Sequence, residues 1–251
     1  MEIHKPKPAH NLREFLSEIA VVVIGIVIAL GGEQALEAVS WHEKIHVAEA
    51  AMRRELQNDD GPQAVVREDL RGCFKQQLTT LRQAIIARAP RNQIAALAAA
   101  YSPPYRTWDQ RSYQAALAAG VTGRLSAERF NAWSQPFLFA AAIDRLNGEE
   151  RNTLIDMQAI LPGPGPLSPE EGQRALRDEM LLERANDSIA VLARLMDDTA
   201  VQAGAGAPAA ARRSLLDLAR SHFGDCARPF ELPKSVGLNS AQLMTQHDLE
   251  L

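Results

Sequence analysis

Residues 19–32 read IAVVVIGIVIALGG, fourteen consecutive positions without one polar side chain. Nothing else in the 251-residue chain constrains its fold so strongly. Away from water every backbone amide and carbonyl needs a partner, and a helix supplies one inside the segment itself. As a helix the run is about 21 Å long, short of the ~30 Å hydrocarbon core of a bilayer. Extended to residues 15–36 it reaches about 33 Å, with Glu18, Glu33 and Gln34 near the two interfaces. The run is too long for an ordinary strand. It predicts a single membrane-spanning helix over 15–36. Two other readings stay open. One is a cleaved signal peptide, with Lys5, Lys7 and Arg13 as its basic lead and Ala29-Leu30-Gly31 as a small-x-small site. The other is a buried core helix. Helical patterning continues through Glu33-Gln34-Ala35-Leu36-Glu37-Ala38 with no turn signal, which favours the anchor over cleavage.

Basic residues set the orientation. Lys5, Lys7 and Arg13 precede the span, and only Lys44 lies in the first sixteen residues after it, ahead of Arg53 and Arg54. The positive-inside rule puts the lead, 1–14, in the cytoplasm and everything beyond residue 36 outside. Arginine far outnumbers lysine and alanine is abundant, a pattern expected of a bacterium with a GC-rich genome. The membrane is then the inner membrane and the outside is periplasm. Gly25 and Ala29 form a small-x-x-x-small pair that permits close approach of a second helix, as in a homodimer. A mean hydropathy of −0.19 excludes a chain built mostly of membrane helices. A net charge of −4 leaves no basic excess for neutralising phosphates, so no nucleic acid is expected as a partner.

Residues 11–34, NLREFLSEIAVVVIGIVIALGGEQ, resemble the opening of a group of uncharacterised bacterial single-pass membrane proteins. Those share a short cytoplasmic lead, an E-I-x-x-V-x-G-I-x-I-A-L type anchor and a helical extracytoplasmic domain. The likeness covers about the first forty residues. It implies localisation and architecture and brings no activity.

Beyond the membrane the pattern is helical throughout. Asn11 with Glu14 is a plausible N-cap pair, and from there a helix is expected to run to Gln57. Asn58-Asp59-Asp60-Gly61-Pro62 then reads as a stop. Ala38, Trp41, Ile45, Ala48, Met52 and Leu56 make one apolar stripe. Val66, Leu70, Cys73, Phe74, Leu78, Leu81 and Ile85 make another before Pro90. Two arms of similar length across a short turn predict an antiparallel hairpin standing off the membrane. Thr107 with Gln110, and Ser126 with Glu128, mark further helix starts. Gly120 closes a helix over 108–119, and Pro136 is expected to kink or restart the next one. Ser168-Pro169-Glu170-Glu171 carries a cap, a proline at N1 and a capping-box glutamate. The helix it opens should end near Val201, before a break over 203–208 and a last helix over 209–223. The expected fold is all-α: a transmembrane helix, a helical periplasmic domain over 37–228 and an irregular tail over 229–251.

Three constellations bear on chemistry. His42-Glu43-Lys44-Ile45-His46 is an H-E-x-x-H on a helix, where histidines one turn apart can chelate zinc and the glutamate can activate water. It resembles the zincin metalloproteases in these five positions only. Lys44 breaks the usual uncharged middle, Glu49 stands where the extended motif has glycine, and Glu68 is an undistinguished third ligand. With Trp41 and Ile45 facing a partner helix, His42 and His46 fall on flanking, partly solvated positions as surface or interfacial histidines, the reading preferred over catalytic zinc or adventitious metal. Cys73 and Cys226 either pair across about 150 residues or remain buried thiols; an oxidising periplasm favours the disulfide. Segment 101–139 holds eight aromatic residues, which line a pocket or fill a core otherwise built from alanine and leucine. No phosphate-binding glycine loop, G-x-S-x-G or Cys-x-x-Cys occurs. The leading expectation is a non-enzymatic binding or scaffold module, with no cofactor, acting beside the lipid bilayer with an envelope protein partner. The alternatives are a membrane-tethered zinc hydrolase using Glu43 between its histidines, and a secreted, signal-cleaved helical protein.

Overall fold

The computed structural model describes residues 12–108 and 110–229. The proposed cap at Asn11, Lys5, Lys7 and the tail past 229 lie outside the described residues. Eight α-helices and no strand occur among those described, and the fold is all-α.

Helix α1 (Leu12–Glu55) is 44 residues long, about 66 Å. Its apolar window has a mean hydropathy of 2.4 and no part of it is buried. Every position from 15 to 40 is exposed. Among the described residues this is the one helix long and apolar enough to cross a membrane. The distal third changes character. Trp41, Ile45 and Ala48 pack against a core cluster that contains the fully buried Met52 and Leu56.

The expected reversal at 58–62 does not occur. Leu56–Asp60 form a π turn, and the Gly61 N–H donates to the Leu56 carbonyl five residues back. The chain then continues as α2 (Gly61–Asp69). Gly61 is right-handed helical, at φ −59° and ψ −48°, so it ends nothing. Its role is spatial: a Cβ there would stand 2.4 Å from the Leu56 carbonyl oxygen. Pro62 falls in the first turn of α2, where its missing N–H breaks no helical bond. Glycine and proline, read together as a stop, are here what a widened turn needs. After a short offset at Leu70 comes α3 (Arg71–Ile86), which packs on α7 (Pro169–Gln202) and α4 (Arg91–Ala100), while α1 pairs with α5 (Arg111–Ala118). The hairpin between the first two arms is therefore replaced by an almost continuous helical path.

The antiparallel hairpin lies further along. Helices α6 (Ala127–Ile160) and α7 (Pro169–Gln202), 34 residues each, make the most extensive pairing in the molecule. Three core clusters run along this pair in antiparallel order. Trp133 and Phe137 meet Ala200; Ala140 and Ile143 meet Ile189, Ala193 and Met196; Met157 and Leu161 meet Ala175 and Leu182. Helix α2 lies across α7 and α8 (Ala209–Phe223), and α4 (Arg91–Ala100) covers α3 and α6.

Local caps follow the sequence closely. Ser126 accepts the Arg129 N–H, and Ser168 with Glu171 forms a complete capping box. Gly120, at φ +70°, ends α5 (Arg111–Ala118), with Gly120 N–H bonded to Leu117 and Val121 N–H to Ala116. Two expectations change. Thr107 does not start α5: Trp108 is buried ahead of the helix and its backbone N–H donates to Asp144 Oδ1 at 3.0 Å. Burial of that indole takes precedence over a local cap. Helix α6 does not restart at Pro136, which is buried inside it beside Phe137. One backbone bond is forgone there, and packing along the whole α6–α7 interface outweighs it.

Candidate functional site

The H-E-x-x-H residues are on the exposed side of α1. Adjacent turns bring His42 and His46 together, with their Nε2 atoms 3.1 Å apart. Trp41 beside them is flanked by Lys44 Nζ at 4.6 Å and the Arg124 guanidinium at 4.7 Å from its ring centroid. No third ligand joins the pair: no group of three or more histidines, cysteines or carboxylates placed to hold a metal occurs among the described residues. Glu43 points from an exposed position, without the water-excluding cleft that hydrolysis requires. Glu49 is occupied elsewhere, its Oε1 accepting from Arg129 at 2.6 Å and from the Trp133 indole at 3.0 Å. Glu68 is buried on α2, against Arg194 of α7 at 3.1 Å.

Cys73, on the buried face of α3, is joined to Cys226 just beyond α8, with their Cα atoms 4.9 Å apart. The link holds the segment that follows α8 against α2 and α3, where Arg228 N–H also donates to the Asp69 carbonyl. Gly25 and Ala29 lie in the fully exposed window of α1, and Gly25 has no side-chain neighbour within 4 Å. The aromatics of 101–139 mostly fill the core. Tyr101, Trp108, Trp133 and Phe137 are buried, Tyr113 stacks on Phe137 at 5.1 Å, and Tyr105 alone of the eight is exposed.

Buried charge is what the sequence left hidden. Arg67 Nη2 donates to both oxygens of Glu150, at 3.0 and 3.1 Å, and the Tyr101 hydroxyl donates to Glu150 Oε1 at 2.6 Å. All three side chains are almost fully enclosed. Burial, then the Glu150 charge, pushes the Tyr101 phenol far above its ordinary range, so it acts as a neutral donor. Glu68 and Asp69 sit beside Asp197, Arg194, Arg212 and Arg220 where α2, α7 and α8 meet. Burial raises Glu68 to about 7 against the pull of Arg194, and raises Asp69 to about 6. A sequence signal existed: Arg67, Glu68 and Asp69 are three consecutive charged residues set between the apolar Ala64-Val65-Val66 and Leu70.

Two further features lie on the surface. A polar depression of about 460 Å³ opens where the π turn passes the start of α5. Its wall includes Glu55, whose Oε2 accepts the Ser112 N–H at 2.8 Å. Glu55 Oε1 and Ser112 Oγ are both shielded and find no partner within the protein. On the outer face of α3 and α7, Ile86, Met180 and Leu181 are exposed at 65%, 62% and 46% and line adjoining shallow grooves. Comparison with family models, curated proteins and solved structures finds no match for this chain.

Proposed function

We propose that the chain is a single-pass protein of the bacterial inner membrane, with its N-terminus in the cytoplasm and its helical domain in the periplasm. There the domain serves as a non-enzymatic binding or scaffold module. One observation carries this: a wholly exposed apolar helix, long enough to span the hydrocarbon, continues without interruption into residues that build the domain core. A signal peptidase cut near residue 31 would fall inside that helix. The resemblance of residues 11–34 to anchored bacterial proteins points the same way.

The binding role draws on the exposed Ile86, Met180 and Leu181. A cluster of large apolar side chains facing water is a common mark of a partner surface. Self-association through Gly25 and Ala29 belongs to the same proposal, because copies inserted with one polarity meet at equal depth. Alkaline phosphatase fusions test the topology. A fusion after residue 228 is expected to be active, and one replacing the domain after residue 10 inactive. The opposite pattern, or a mature chain beginning near residue 32 in the soluble periplasmic fraction, would overturn the anchored reading.

A further inference from the structure

We infer that His42 and His46 form a two-point chelate for a divalent transition metal, copper(II) above all, on the exposed side of α1. This names a ligand for the binding role proposed above and rests on that reading for its compartment. The observation behind it is the convergence of two ring nitrogens. The Nε2 atoms stand 3.1 Å apart while the ring centroids are 4.4 Å apart, so the imidazoles close on each other at their Nε2 tips. Both residues are exposed, and neither Nε2 has a partner other than the opposite ring. An imidazole nitrogen lies about 2.0–2.1 Å from a bound transition metal. Two such bonds spanning 3.1 Å enclose an angle of roughly 95–100° at the metal. That falls between the cis angle of a tetragonal site, about 90°, and the tetrahedral angle, about 109°. The spacing is that of one chelated ion.

The surroundings select the class of ion. Two side chains donate and no third joins them among the described residues, so water fills the remaining positions. A nitrogen pair completed by water suits tetragonal copper(II) or nickel(II), whereas structural zinc takes four protein ligands. Magnesium and calcium want oxygen donors. Copper(II) stands highest in the affinity order for such a pair. Nearby cations raise little barrier. Arg124 is paired with Glu37 at 3.3 Å, Arg129 with Glu49 at 2.6 Å, and Lys44 Nζ lies over the Trp41 ring. The donors are also held in place beforehand. They are one turn apart inside α1, where Trp41 and Ile45 pack on the core, so little ordering cost falls on binding.

Copper(II) titration of the full chain in detergent micelles and a non-coordinating buffer tests this, with nickel(II), zinc(II) and magnesium(II) as the other probes. One tightly held copper per chain is expected, showing two-nitrogen hyperfine structure by electron paramagnetic resonance. Nickel and zinc should bind more weakly, and magnesium not at all. His42→Ala and His46→Ala should each weaken copper binding at least tenfold and remove the two-nitrogen pattern. Both side chains are exposed, so circular dichroism should show both variants folded. The double variant His46→Ala, Val47→His keeps the number of histidines but swings the second ring around the helix, away from His42. It should bind no better than His46→Ala. Affinity within twofold of wild type in either single variant, or a double variant equal to wild type, would overturn the site. So would an absence of copper binding, which would leave only an N–H···N contact between the rings. The titration does not depend on which way the chain crosses the membrane, so it and the phosphatase fusions can fail separately.

Discussion

Replacing Glu150 with glutamine probes the buried charge network at one atom's cost in volume. In the wild type Arg67 and Glu150 expose 3% and 2% of their side chains. Arg67 Nη2 reaches both carboxylate oxygens, while its Nε and Nη1 have no hydrogen-bond partner within the protein. Glu150 is the one carboxylate that Arg67 bonds among the described residues. Glutamine keeps an acceptor for Tyr101 but leaves the guanidinium uncompensated above the Phe74 ring, 5.3 Å from its centroid. At an effective dielectric of about 20, a charge pair near 4 Å interacts by about 4 kcal/mol. Removing one member of a buried pair costs about 3–5 kcal/mol in measured cases. For a domain of this size the loss should lower Tm by roughly 6–20 °C. Urea unfolding of wild type and Glu150→Gln, followed by circular dichroism, gives the difference directly. The triple variant Arg67→Met, Glu150→Leu, Tyr101→Phe removes every polar atom of the set and should recover most of that loss. A Glu150→Gln protein within about 1 kcal/mol of wild type would refute the reasoning, since the charge would then be compensated in some other way.

Three further outcomes are expected. Reducing the Cys73–Cys226 link, which closes a separation of 153 residues, should cost up to about 5 kcal/mol by the chain-entropy relation; identical melting curves with and without reductant would contradict it. Folding raises Glu68 from 4.5 to about 7, so its contribution is fully present below pH 4.5 and fades as pH climbs through 7. Wild type should therefore lose about 3 kcal/mol relative to Glu68→Gln between pH 4.5 and 7.5, and parallel stability profiles would exclude this. Gly61→Ala should destabilise by roughly 1–3 kcal/mol through collision with the Leu56 carbonyl, despite alanine's better helix propensity; a gain in Tm would argue against the π turn.

Much of the molecule was legible residue by residue. The unburied apolar window, the capping box at Ser168 and the glycine at Gly120 each depend on atoms within about one helical turn, so a linear sequence displays them. The same holds for α8, whose observed limits, Ala209–Phe223, match its pattern. Thr107 failed because the pull on Trp108 came from Asp144, on a different helix.

Of the candidate sites, the sequence displayed only what is local. His42 and His46 share a face by helical spacing, but their solvated setting and the lack of a third ligand depend on where α1 meets its neighbours. The Glu55 depression was invisible because Ser112 comes from 57 positions away. Arg67 and Glu150 are 83 positions apart and gave no pattern that would connect them.

The sequence by itself determined that the chain is helical, where α6 starts, where α7 and α8 begin and end, and which segment is apolar enough to enter a membrane. Only the tertiary structure decided which helices pair, and it moved the hairpin from the first two arms to α6 and α7. The physical reason is range. Caps, turns and periodicity are settled by hydrogen bonds and side chains a few residues apart. Pairing depends on which apolar faces exclude the most water together, and several alanine-rich stripes in this chain offer similar faces. Asn58-Asp59-Asp60-Gly61-Pro62 shows the difference: its residue types permit a stop, and packing of α2 on α7 keeps it helical.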